Sequence, residues 1–135
     1  MRIAPRTLQL DPCPPELLAI GFSGQSRFHL SLEKSYDVHA VSLFRRVLFM
    51  QVVNDVGIID WIPALMCHVT ESEVPGDWIC SLFEGDLALV MGPEFMAKDE
   101  SSYKRMMELD PGAVSLFWSR IEALKRTNVT DELDT

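Results

Sequence analysis

The sequence predicts a single α+β domain, a small antiparallel sheet with helices packed on one face and a helical pair towards the carboxyl end. Three observations predict it. Residues 61–95 alternate short apolar runs with turn-forming loops, residues 99–126 carry two capped helical repeats, and the sheet precedes the helical pair instead of interleaving with helices. At 135 residues, with 47% hydrophobic and 24% charged side chains, the chain has the size and composition of one core. The domain is expected over residues 1–126, followed by a mobile acidic tail at 127–135, where one Val and one Leu are too few to pack.

Prolines at 5, 12, 14 and 15 suit an extended arm over residues 1–16. Residues 16–22 fit either a short helix opened by Pro14-Pro15 or a strand ended at Ser23-Gly24. From 27 to 33 the pattern alternates, with Phe28, Leu30 and Leu32 on one side and His29, Ser31 and Glu33 on the other, which predicts a strand. Ser35 can cap a helix with Asp37 in its first turn and Val38, Val41, Phe44 and Leu48 on one stripe, stopping at Gly57. Arg45 and Arg46 then belong to its polar face. Residues 47–53 are rich in β-branched and aromatic side chains, so a central strand is the alternative there.

The apolar run at 63–69 reads as a strand, and residues 78–83 and 87–91 as a hairpin around Glu84-Gly85-Asp86. Gly92-Pro93 makes residues 92–98 irregular. Asp99 caps a helix that buries Tyr103, Met106 and Met107. Asp110 before Pro111 starts another, in which Val114, Phe117, Trp118, Ile121 and Leu124 recur at helical spacing up to Arg126.

The net charge of -8 is uneven. Residues 1–56 hold six Lys/Arg against five Asp/Glu, and residues 57–135 hold six against fifteen. An acidic surface repels phosphate backbones, so nucleic-acid binding is not expected, whereas a basic protein would be steered towards it. No apolar stretch approaches the ~20 residues that cross a bilayer, and the amino end lacks an apolar core of signal-peptide length. A cytoplasmic protein without membrane contact is expected. Cys13, Cys67 and Cys80 form no CxxC pair, which predicts free thiols.

Chemistry-bearing patterns are sparse. Cys67 and His68 are adjacent, and on a strand they would point to opposite faces, which argues against a thiol–imidazole pair. Cys67 and Cys80 would face each other if their strands pair. His29, His39 and His68 are isolated, without HxxH or HExxH spacing, so no metal is expected, and the glycines form no phosphate loop, so no cofactor is expected. What does cluster is carboxylate. Glu71, Glu73, Asp77, Glu84, Asp86 and Glu94 fall in loops between predicted strands, with Trp78 among them. Acidic loops beside an aromatic anchor combine steering charge with a contact hot spot, which makes these seven the predicted partner-binding residues.

The stretches Asp60-Trp61-Ile62-Pro63, Pro75-Gly76-Asp77-Trp78, Gly92-Pro93-Glu94-Phe95 and Lys98-Asp99-Glu100-Ser101-Ser102-Tyr103 resemble small bacterial immunity proteins of polymorphic secreted toxin systems. The resemblance covers residues 61–118. It implies a cytoplasmic binding protein without enzymatic activity that holds a cognate toxin's effector domain and blocks its active site. A nuclease-like toxin carries a basic cleft for phosphate, which an acidic plug would enter in fast, salt-sensitive association. The rival expectation is a small-ligand-binding regulator or an enzyme whose site is assembled from scattered residues, which a deep cavity would favour.

Overall fold

Ile3 is fully buried and Pro5 lies buried on the same side, while Arg2 faces solvent, so period-two alternation places Arg2–Pro5 in a sheet as strand β1. This corrects the expectation of an irregular arm. Pro5 costs the ladder a donor only at its last position, which strands tolerate. The structure is a computed structural model that describes the backbone of residues 1–133 and the side-chain surroundings of residues 1–127. Pro14-Pro15 opens a one-turn helix, Pro15–Leu18 (α1), anchored by buried Leu17, so the helical alternative holds at this point. Residues 27–33 form no strand. Leu30 is buried but Leu32 is exposed, and the segment is tied to the rest of the fold at His29 O, which accepts from Asp55 N, and at Ser31 N, which donates to the Tyr36 hydroxyl.

The helix expected over 35–57 is three strands, Tyr36–Asp37 (β2), Ala40–Phe44 (β3) and Val47–Val53 (β4). The β-branched and aromatic content of 47–53 decides it, because those side chains lose χ1 freedom in a helix and pack well on a pleated sheet. Arg45 and Arg46 are the turn of the β3–β4 hairpin. Both have positive φ, 45° and 67°, the sign that a tight two-residue hairpin turn demands at both central positions. Asp86 holds this strained pair in place, its backbone O accepting from Arg45 N at 2.8 Å and its carboxylate from Arg45 Nε at 3.1 Å.

After Ile59–Pro63 (β5) a 3-10 turn at Ala64–Met66 breaks the run at 63–69, and the chain re-enters a different sheet as Cys67–Glu71 (β6). The expected hairpin is present as Ile79–Leu82 (β7) and Leu87–Gly92 (β8), with Gly85 supplying a φ of 115° in the turn. Two antiparallel sheets result. The smaller has the order β2-β1-β6 and the larger β5-β4-β3-β8-β7. Cys67 and Cys80 therefore stand in different sheets and do not face each other; with Cys13 they are free thiols.

Residues 92–98, expected to be irregular, begin with the last residue of β8 and contain one helical turn, Glu94–Ala97 (α2), started by Pro93. The two capped helices follow as predicted. Asp99 accepts from Ser102 N at 2.7 Å to open Glu100–Met107 (α3), and the Asp110 carboxylate accepts from Gly112 N and Ala113 N to open Pro111–Leu133 (α4). Tyr103, Met106 and Phe117 are buried, whereas Met107, Trp118 and Leu124 are exposed, so the inward stripe is narrower than the spacing suggests. The helix passes Arg126, where the sequence reading ends it. The backbone of 127–133, expected as a tail, is helical as far as Leu133, and residues 134–135 lie outside the described residues. Among the described residues no helix is long and apolar enough to cross a membrane.

The larger sheet is the middle layer of this α+β fold. On one face Ala40 packs with Met96, Met106 and Phe117, and Val90 with Ala97 and Tyr103, so α2, α3 and α4 share that side. On the other, Val41, Met50, Val52 and Ile62 meet Ile3, Tyr36, Val38 and Met66 from the smaller sheet and its connections. One core position breaks the pattern. Gln51 of β4 is 0% exposed and neither Nε2 nor Oε1 has a hydrogen-bond partner. Because an unpartnered buried amide carries its desolvation cost uncompensated, Gln51→Met is expected to raise the unfolding free energy by about 1–3 kcal/mol. Urea denaturation of both proteins checks this, and a loss of stability would show that the amide is satisfied in solution.

Candidate functional site

The predicted partner-binding residues fall at three places, two at the ends of β7 and one at the end of β6. β7 is an outer strand of the larger sheet, and Asp77 and Trp78 precede it, while Glu84 and Asp86 stand in the turn at its far end. Glu94 lies close to the first group, because Gly92 pairs with Ile79. Glu71 ends β6 in the other sheet, with Glu73 just beyond it. The four residues of β7 separate the two groups at its ends by roughly 13 Å at the usual rise of a strand.

Their availability also differs. Asp77 forms a bidentate pair with Arg120 of α4, which holds its carboxyl below the usual range, and Asp86 is paired with Arg45. These two acids tie the ends of the β7–β8 hairpin to the fold. Glu71, Glu73, Glu84 and Glu94 are exposed and have no ion-pair partner among the described residues. Trp78 is half-buried against the main core, so it anchors the loop more than it offers a contact.

Sequence reasoning missed the open edge of β7. Phe83 N donates to Ala88 O at 2.9 Å, so alternation turns the backbone groups of Ile79 and Ser81 towards β8 and those of Cys80 and Leu82 outward. Ile79 and Leu82 are exposed, Leu82 to 75%. The signal was present in the strand itself: an apolar run without clean alternation, capped by acids at both ends.

A second feature was also missed. Between α3 and the segment after α1 lies a cavity of about 360 Å³, walled by Phe22, Phe49, Trp61, Tyr103 and Met106. The Trp61 and Tyr103 rings meet edge to face at 5.4 Å, and Phe22 and Phe49 lie 6.0 Å apart. Asp60, on the outer strand β5, is the charged residue in this lining. Burial pushes its carboxyl above the usual range, against the pull of hydrogen bonds from Trp61 N at 2.9 Å and from the Asn54 side chain. The sequence signal is a single acid inside the apolar run from Ile58 to Pro63.

The remaining reactive groups are dispersed. Burial pushes the Cys67 thiol up to about 11, which keeps it protonated and poorly nucleophilic near neutral pH. His39 lies against Phe117, ring to ring at 5.0 Å, and burial lowers its pKa to about 4. Tyr103 is held neutral by burial, its hydroxyl 3.2 Å from that of Ser42. Among the described residues no group of three or more His, Cys, Asp or Glu is placed to hold a metal ion. No protein-family model, curated protein or solved structure matches the chain.

Proposed function

We propose that this chain is an immunity-type binding protein that neutralises a cognate toxin by protein–protein contact, and that the contact centres on the open edge of β7. The observation that carries the reading is the outward-facing backbone of Cys80 and Leu82, beside exposed Ile79 and bracketed by Glu84 at one end and Glu94 towards the other. An open edge accepts an added strand, with backbone hydrogen bonds giving affinity and flanking side chains giving selection. The flanking acids select for a cationic strand. They also select against a second copy of this chain, whose own edge carries the same charge. The resemblance to immunity proteins supplies the class of partner, the basic effector domain of a bacterial toxin, encountered in the cytoplasm. The role needs occlusion and no chemistry.

Leu82→Pro removes one outward donor and the exposed side chain while leaving the ladder to β8 intact. Capture of the toxin from producing cells is expected to be stoichiometric with the wild-type protein at low salt, and lost with Leu82→Pro. The charge reversals Glu84→Lys and Glu94→Lys together are expected to slow association about tenfold and to flatten its salt dependence. Capture that survives both changes would remove the β7 edge as the contact. The cavity favours a second reading, a small-ligand-binding domain, because its volume lies in the range of small-molecule sites and its walls are already in place.

A further inference from the structure

We infer that the cavity beneath Trp61 and Tyr103 is a binding site for a small apolar ammonium ion, an aryl- or alkyl-substituted amine whose cationic head sits at Asp60. The wall supplies every component that such a ligand needs. Phe22, Phe49, Trp61 and Tyr103 offer ring surface, and Met106 adds a polarizable thioether beside them. Ring faces attract cations as well as covering apolar groups, so a cation loses less on entering here than in an aliphatic cavity.

Charge fixes the sign of the ligand. Asp60 is the one acidic residue of the lining, its carboxylate held beside the cavity wall by Trp61 N, and no Lys or Arg lines the cavity with it. Its hydrogen bonds come from neutral donors, the Trp61 N–H and the Asn54 amide, and among the described residues it has no ion-pair partner. His29 acts on it only through space, and Arg27 lines an adjoining depression that shares the Asp60 wall, without an ion pair to it. A half-buried carboxylate without a counter-ion is costly, and a bound cation offsets that cost, which a neutral molecule cannot do and an anion would aggravate. The volume of about 360 Å³ suits one ring and a substituted ammonium group. Because burial already raises the affinity of Asp60 for a proton, the ammonium ion competes with protonation. Binding is therefore strongest above the raised Asp60 pKa and weakens as pH falls through it.

The full chain is titrated near neutral pH with benzyltrimethylammonium and, separately, with neutral 2-phenylethanol, following the Trp61 indole and backbone amides by NMR. Saturable shifts at Trp61, Phe22 and Met106 are expected with the cation, and binding of the alcohol about tenfold weaker or less. Asp60→Asn keeps a hydrogen-bond acceptor for Trp61 N–H and is expected to bring the cation down to the affinity of the alcohol. Leu109→Lys, at the exposed rim, places a competing cation at the mouth and is expected to weaken binding similarly. Equal affinity for cation and alcohol, no effect of Asp60→Asn, or no saturable shift at tens of millimolar ligand would each overturn the assignment. Should either variant fold poorly, the comparison of the two ligands on the wild-type chain decides alone. Leu82→Pro is expected to leave ammonium binding unchanged, so this site and the β7 contact fail or stand separately.

Discussion

Truncating Phe117 to alanine is expected to lower the unfolding free energy by about 3–5 kcal/mol, a large share of the 5–15 kcal/mol typical of a domain. The size follows from position. Phe117 is 1% exposed and is the one aromatic of α4 that is fully enclosed, packed with Ala40 of β3, Met96 of α2 and Met106 of α3. Its neighbours on the helix contribute less, because Leu116, Trp118 and Leu124 are all exposed. A further tether of α4 is the Arg120–Asp77 pair, whose carboxylate is largely open to solvent and which adds little. Leu124→Ala, a change of similar chemistry on the outer face, is expected to cost less than about 0.5 kcal/mol. Urea titrations of the two variants check this, and similar losses at both positions would mean that α4 is not held through Phe117.

The second large effect is on pH. His39 is neutral in the folded protein, its pKa lowered from 6.5 to about 4, first by burial, with Asp37 opposing and Arg120 assisting. The unfolded chain takes up a proton at an ordinary histidine pKa and the folded chain does not, so the folded state loses ground as pH falls from 6.5 to about 4. The loss is about 3 kcal/mol and is complete below the lower value. Asp60 acts in the opposite sense, because a raised carboxyl pKa lets the folded state bind its proton first. His39→Leu isolates the histidine. The difference in urea midpoint between wild type and His39→Leu should change steeply across that window and stay constant above it. A parallel pair of pH profiles would place His39 in water. The two predictions meet at one contact: with Phe117 truncated, the His39 ring loses its cover and its pH window should move back towards 6.5.

What the sequence made legible were elements with a local cause. Asp99 and Asp110 bond amides two or three residues away, and Gly85 turns a hairpin whose strands adjoin it, so short windows contain the whole interaction. The segment at 35–57 failed for the opposite reason. Val38, Val41, Phe44 and Leu48 satisfy a helical stripe, yet Arg45-Arg46 turns the chain because Asp86, distant in sequence, holds it there. Positive φ at arginine has no local signature. Prolines around Ile3 likewise concealed a strand whose partners lie at Tyr36 and Val69. Of the candidate sites, the acids were visible and their division among the two ends of β7 and the end of β6 was not. The cavity was invisible because four distant segments wall it.

The central place of β1 has a consequence for biogenesis. Ile3 lies between Tyr36 on one side and Val69 on the other, so the strand synthesised before its partners is the one both of them need. At about 5–20 residues per second, a ribosome delivers Cys67–Glu71 on the order of seconds after Arg2–Pro5. Both edges of the strand stay open until Tyr36–Asp37 is delivered, and the edge that takes Cys67–Glu71 stays open for the whole interval. Nascent chains of this protein should therefore be clients of whatever holdase works at the tunnel exit, and slow codons before residue 67 would prolong the exposure.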